Sequence, residues 1–178
     1  MRVLVVGGAG SGKSAYAERL ACSLSAARTY VATMESRSPE ARSRIARHQR
    51  QRAGLGFQTL ECPMSLAEAL PEDVVHGVAL LEDVGNLVAN TLFLHDGSMQ
   101  DPSKALELIK CEFASFCHGY EHVVVVGNQV GSSKTPSGNE TLAWVRVVGA
   151  LCCWLAAQFD VVVEVTTGIP LVVKGRLP

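Results

Sequence analysis

Eight residues close to the amino end have the types and spacing to hold a phosphate chain. Gly7-Gly8-Ala9-Gly10-Ser11-Gly12-Lys13-Ser14 satisfies G-x-x-x-x-G-K-[ST]. A polyphosphate is wrapped by backbone N–H groups at contact range, and glycines let the loop take positive φ with no Cβ in the way. Lys13 is placed to reach the β- and γ-phosphates, and the Ser14 hydroxyl to bind Mg²⁺. The loop follows Val3-Leu4-Val5-Val6, an aliphatic run of buried-strand type. After it come Ala17, Leu20, Ala21 and Leu24 at helical spacing, giving a helix over about 15–27 that points its positive end at the anion. Strand, glycine-rich loop and helix stand in the order a P-loop requires.

A magnesium–nucleotide site also needs a carboxylate after a second strand. The run Val78-Ala79-Leu80-Leu81 leads directly into Glu82-Asp83. The first acid after the strand is the leading candidate, so Glu82 takes that role and Asp83 is the alternative. A third group is a basic helix that begins at Ser38-Pro39, with Ser as cap and Pro at the first position. It carries Arg42, Arg44, Arg47, Arg50 and Arg52 around His48. His48 lies four residues from both Arg44 and Arg52, which puts the three on one face. Such a face can hold a polyphosphate and stabilise departing pyrophosphate. An imidazole among cations is biased toward its neutral, nucleophilic form, suited to attack on an α-phosphate with a phosphoramidate as product. The same residues also read as a solvated arginine face with an incidental histidine.

The elements that must position these groups alternate along the chain. Strands are expected at 28–33, 57–61, 78–81, 123–126 and 160–165, with a last one at 171–174. Helices are expected at 38–52, 65–70, 86–94 and 102–118, and a long one capped by Asn139 runs to Gln158. Several strands are solidly apolar, which implies an α/β fold with a mostly parallel sheet and helices on both faces, in one domain over all 178 residues. A chain that is 48% hydrophobic and 19% charged is globular rather than disordered. The net charge of −1 gives no general attraction to nucleic acid or anionic membrane. The P-loop follows the first strand directly, so no signal peptide is expected, and no apolar run reaches the length of a spanning helix. The cysteines Cys22, Cys62, Cys111, Cys117, Cys152 and Cys153 form no C-x-x-C pair. In a cytosolic nucleotide enzyme they read as reduced, small buried hydrophobes.

Over nearly its whole length the chain resembles the bifunctional adenosylcobinamide kinase / adenosylcobinamide-phosphate guanylyltransferases of cobalamin biosynthesis. The resemblance rests on the P-loop, on Tyr30-Val31-Ala32-Thr33 and on Arg44-Ile45-Ala46-Arg47-His48. It continues in Leu80-Leu81-Glu82 with Asn90 downstream, in Asn128-Gln129-Val130-Gly131, in Pro136 and in Gly168-Ile169-Pro170. It implies a RecA-like P-loop fold, a homotrimer, and a cytoplasmic enzyme that phosphorylates a corrinoid alcohol with ATP or GTP. GMP then passes from GTP through a histidine, by position His48, to the new phosphate. Nucleotide contacts fall by resemblance to the loop from Gly7 to Ser14, to Arg44, Glu61 and Glu82, with Lys13 catalytic and Mg²⁺ held by Ser14 and Glu82.

The chain departs from the family at Gly10, where Arg is common, and at Gln129, where Glu is common. Asp83 replaces the usual Cys, and the stretch 142–153 is apolar where the family is polar. Two other readings remain at this stage: a small P-loop kinase with one activity, and a non-catalytic GTP-binding regulatory protein. Nucleic-acid binding is the weakest, because the basic residues are confined to one helix.

Overall fold

The computed structural model describes residues 1–35, 38–130 and 138–178. Gly131 and Pro136 of the motifs above, with most of the Ser/Gly/Pro-rich loop, lie outside the described residues.

Seven strands form one sheet in the order β3-β2-β4-β5-β1-β6-β7. They are β1 (Arg2–Gly7), β2 (Arg28–Ala32), β3 (Phe57–Glu61), β4 (Val75–Glu82), β5 (Tyr120–Asn128), β6 (Val161–Thr166) and β7 (Ile169–Lys174). All neighbouring pairs are parallel except β6 and β7, which are antiparallel. Among the described residues five α-helices accompany them: α1 (Lys13–Leu24), α2 (Pro39–Gln51), α3 (Val84–Leu92), α4 (Pro102–His118) and α5 (Asn139–Gln158).

Side chains alternate along the central strands between two buried layers, as a strand's period of two demands. Leu4, Ala79, Leu81, Val123 and Val125 face one layer, shared with Val88, Ile109, Phe113 and Leu151 from α3, α4 and α5. Val3, Val5, Val78, Leu80, Val124 and Val126 face the other, shared with Ala17, Leu20 and Ala21 of α1. Because both faces are covered, these strands are solidly apolar rather than alternating. Each buried Val or Leu side chain stabilises the fold by about 1.5–3 kcal/mol relative to exposure.

Several boundaries differ from expectation. α1 stops at Leu24, because the Arg28 guanidinium takes the carbonyls of Cys22 and Ser25 and turns the chain into β2. β4 and β5 extend beyond their apolar centres, since pairing carries Val75 opposite Tyr120. The segment expected as a short helix at 65–70 is a single 3-10 turn, Leu66–Ala69. α3 begins at Val84, where the Asp83 carboxylate caps it by accepting from the Asn86 N–H at 2.9 Å. α5 is not capped by Asn139, which is its first residue; Gly138 precedes it without a side-chain cap. The last strand starts two residues early, at Ile169, because Thr167 and Gly168 both take positive φ and close a two-residue hairpin.

Two composition readings are also corrected. α5 is, by length and composition, apolar enough to cross a membrane, with a mean hydropathy of 1.4. Its face bearing Val147, Val148, Leu151 and Leu155 is buried in the core above the sheet. Of the six free cysteines only Cys62 and Cys117 are buried, while Cys111 and Cys153 lie on exposed helix faces.

Candidate active site

The register places the chemistry-bearing strand ends side by side. Gly7 at the end of β1 lies opposite Asn128 of β5, and Glu82 at the end of β4 lies opposite Val126 of β5 and Ala32 of β2. Ligands of open α/β sheets bind at such carboxyl ends. A cleft of about 700 Å³ opens there.

One wall is the P-loop, residues 9–15. Gly7 and Gly8 form its base rather than its lining. A Cβ at Gly7 would lie 2.5 Å from Ser11 Oγ and 2.6 Å from the Val165 carbonyl, so only glycine lets the loop close on β6. Gly12 stands at the α1 cap with φ 89°. The loop is braced from behind by the β6–β7 turn, where the Gly168 N–H donates to Ser11 O at 2.8 Å. Lys13 Nζ donates to Gly8 O at 3.2 Å, and the buried Ser11 Oγ has no hydrogen-bond partner.

The floor is Glu82 and Asp83. Ser14 Oγ donates to Glu82 Oε1 at 2.5 Å, whereas Glu82 Oε2 is buried without a partner. Burial pushes the Glu82 carboxyl up to about 7; the Ser14 hydrogen bond and Lys13 pull it back, and Asp83 and Glu18 push it further. An acid kept in this state, with one oxygen on the P-loop serine and the other orphaned, fits a hard divalent cation, which would satisfy both. The acidic pair is held in place by two residues from the motif list. Thr33 Oγ1 donates toward the carbonyls of Glu82 and Asp83, each at 2.9 Å, and accepts from the Asp83 N–H at 3.0 Å. Asn90 Nδ2 donates to Thr33 O at 2.9 Å and to Pro63 O at 2.8 Å.

A further wall is α2, which brings Arg44, Arg47 and His48 to the cleft. Ser38 Oγ accepts from the Ala41 N–H at 3.0 Å and Pro39 opens the helix, as its start sequence dictates. Burial, then Arg47, Arg44 and Arg52, hold the His48 imidazole below its ordinary value, and Asp83 acts in the other direction. His48 Nδ1 is buried and unpartnered. The wall is completed by Asn128, Gln129, Val130 and Trp144, the Trp144 indole N–H donating to Gly85 O at 2.9 Å.

Of the residues singled out in the sequence, Ala9 to Ser14, Arg44, His48 and Glu82 therefore meet in one cleft. Arg52 does not join them; it lies inward at the end of α2, over the Tyr30 ring. Glu61 does not line the cleft either. It is exposed at the end of β3, the edge strand separated from β1 by β2, β4 and β5. Arg47, Asn128 and Trp144 went unassigned to the site. The Arg44–Arg47 spacing of three was a usable signal for the first, and the position of Asn128 at a strand end for the second. Nothing local marked Trp144, which arrives from α5.

Fold and site together define a P-loop nucleotide-binding protein with a histidine–arginine wall facing the phosphate loop. Among solved structures, a type III secretion system ATPase of pathogenic bacteria aligns with 93% of this chain and 51% of its own at a TM-score of 0.54, with 8% identity, a likeness of fold alone. Residues 3–173 match the model of the family described as cobinamide kinase / cobinamide phosphate guanyltransferase. The bifunctional adenosylcobalamin biosynthesis protein CobP of Pseudomonas aeruginosa is 33% identical over 99% of both chains. CobU of Escherichia coli is 33% identical over 98% of this chain and 100% of its own, and CobU of Salmonella typhimurium 31% over the same shares. The chain belongs to the cobinamide kinase / cobinamide phosphate guanyltransferase family.

Proposed function

We propose that this chain, folded as one P-loop domain, carries both reactions of its family in the single cleft at the sheet's carboxyl edge. It phosphorylates the hydroxyl of a corrinoid alcohol with a nucleoside triphosphate, then joins GMP from GTP to that phosphate. The observation that carries the reading is the presence in one cleft of Lys13, Ser14 and Glu82 together with a neutral-biased histidine and two arginines of its own helix.

Ser14 Oγ and Glu82 would hold Mg²⁺, which supplies charge neutralisation between phosphate oxygens when bound. The P-loop N–H groups and Lys13 bind the phosphates and hold them in line with the nucleophile. In the kinase reaction the acceptor hydroxyl gives up its proton to solvent as its oxygen bonds to the γ-phosphorus, the bridge to the β-phosphate breaks, and its electron pair leaves with the nucleoside diphosphate. In the transfer reaction the neutral His48 keeps its proton on the buried Nδ1, which leaves Nε2 to attack the α-phosphorus of GTP. The N–P bond forms as the α–β bridge breaks, and Arg44 and Arg47 take up the charge of the departing pyrophosphate. The corrinoid phosphate then displaces His48, restoring the imidazole and forming the diphosphate linkage. Arg47 joins Arg44 in this role; Glu61 has none in this scheme. We further propose a cytoplasmic homotrimer; the exposed apolar strand β7 supports a contact between subunits.

Incubation with Mg²⁺ and GTP radiolabelled at the α-phosphate, followed by denaturing electrophoresis, tests the reading. An acid-labile, alkali-stable label that is lost in His48→Ala is expected. GTP binding with no label would leave a single-activity kinase or a non-catalytic nucleotide binder.

A further inference from the structure

Among the described residues, four polar or charged side chains are buried: Glu18, Thr33, Arg52 and Thr91. The two threonines give their hydroxyl protons to backbone carbonyls. Glu18 and Arg52 do not line the cleft described above, and they interact with each other. Arg52 is only 7% exposed, its guanidinium 3.6 Å from the centroid of the Tyr30 ring. Its Nη2 donates to Thr59 Oγ1 on β3 at 3.3 Å. Glu18, on α1, is pushed up by burial, and among the charges that oppose the shift Arg52 stands first. One Glu18 carboxyl oxygen is buried without a hydrogen-bond partner. A buried guanidinium over an aromatic face, with an acid nearby, is a costly arrangement for a residue that merely ends a surface helix.

α2 supplies the reason. It carries the nucleophile of the proposed transfer but has no core of its own, because none of residues 39–50 is buried. Arg52, the capping residue at its carboxyl end, is buried. The Arg52 N–H donates to His48 O at 3.1 Å, so anchor and imidazole belong to one hydrogen-bonded turn. A helix fixed at that turn can neither roll about its axis nor slide without tearing the guanidinium from the Tyr30 ring. We propose that Arg52, clamped between α2, the Tyr30 ring and Thr59, is the positioning residue that sets the depth and rotation of His48 over the phosphate loop. This rests on the transfer role proposed for His48.

The test compares wild type, Arg52→Lys, Arg52→Met and Thr59→Val. GTP affinity is measured by displacement of a fluorescent nucleotide, with the His48→Ala change added so that no covalent capture intervenes. The rate of GMP incorporation is measured at saturating GTP in proteins that retain His48. Arg52→Met should bind GTP within about threefold of its parent while incorporating GMP about 100-fold more slowly, the scale of an ångström-sized misplacement. Arg52→Lys should recover part of the rate, and Thr59→Val, which removes one hydrogen bond and is safe for folding, should slow it about threefold. Wild-type rates in Arg52→Met overturn the proposal, as does a rate that falls only in step with affinity. Should Arg52→Met fail to fold, an unchanged rate in both remaining variants overturns it.

Imidazole nitrogen NMR of His48 gives a readout that needs no turnover. The charges around this ring are Arg44, Arg47 and Arg52 from its own helix and Asp83 from the end of β4. Thr59→Val leaves the Arg52 charge in place and removes only the hydrogen bond that holds it, so a His48 titration that moves in this variant reports a displaced ring, and an unmoved one argues against the anchor. A titration moved in Thr59→Val, in a protein whose wild type takes up no GMP, upholds the positioning and removes the transfer role instead.

Discussion

Glu82 carries two opposed demands, and they make its protonation measurable. In the folded protein burial raises its carboxyl to about 7, whereas in the unfolded chain it ionises near ~4.3. Between those values the folded state binds more protons, so this residue's contribution to stability falls as pH rises from about 4 to about 7. Glu82→Gln keeps a partner for Ser14 without the charge. In urea unfolding without Mg²⁺ it should be more stable than wild type at pH 8 by about 1–3 kcal/mol, with the gap closing near pH 4. A gap that does not vary with pH would mean a solvated carboxylate. His48 shifts the other way, since burial and its arginines favour the neutral ring. GMP incorporation should therefore persist below the pH at which an ordinary histidine protonates. Arg47→Ala removes the strongest of the neighbouring cations, so the acid limb of the rate profile should move to higher pH.

At the scale of the element, the P-loop depends on its glycines and on a distant turn. Gly12 combines φ 89° with a neighbour, Gly168 Cα, 3.3 Å from where a Cβ would stand. Gly12→Ala should cost about 1–2 kcal/mol of backbone strain and loosen the cap that faces the phosphates. Displacement of a fluorescent nucleotide should show weakened GTP binding while the circular dichroism of the helices is retained. α2 shows the converse arrangement. Its start is written locally in Ser38 and Pro39, but its place on the molecule depends on Arg52, Tyr30 and Thr59, which come from three separate elements.

Across the whole molecule, the sheet ends in an edge that water does not favour. Ile169, Leu171, Val172 and Val173 of β7, the last strand of the sheet, are 69%, 62%, 42% and 61% exposed. Natural edges are usually blunted by charge or covered. In the trimer proposed here, β7 is covered by a neighbouring subunit. Leu171→Lys with Val173→Lys should convert a trimer to monomers in sedimentation velocity, while the far-ultraviolet spectrum is unchanged. A wild type that sediments as a monomer would remove the proposal.

By itself the sequence determined what depends on neighbours along the chain. The phosphate loop needs glycines at fixed spacing along a few residues, the acid Glu82 is the last residue of its own strand, and the Ser38-Pro39 start lies within one turn of the helix it opens. Solidly apolar runs were enough to imply a parallel sheet covered on both faces, because each such run must find a layer on either side. Tertiary structure decided the rest. It turned Arg52 inward while leaving Arg44 and Arg47 at the cleft, since the roll of a coreless helix depends on residues far away in the chain. It put Glu61 on an edge strand with three strands between it and the phosphate loop's own strand, brought Trp144 in from α5, and exposed Cys111 and Cys153. Strand order and helix rotation are consequences of packing between distant segments, and no local pattern of residue types records them.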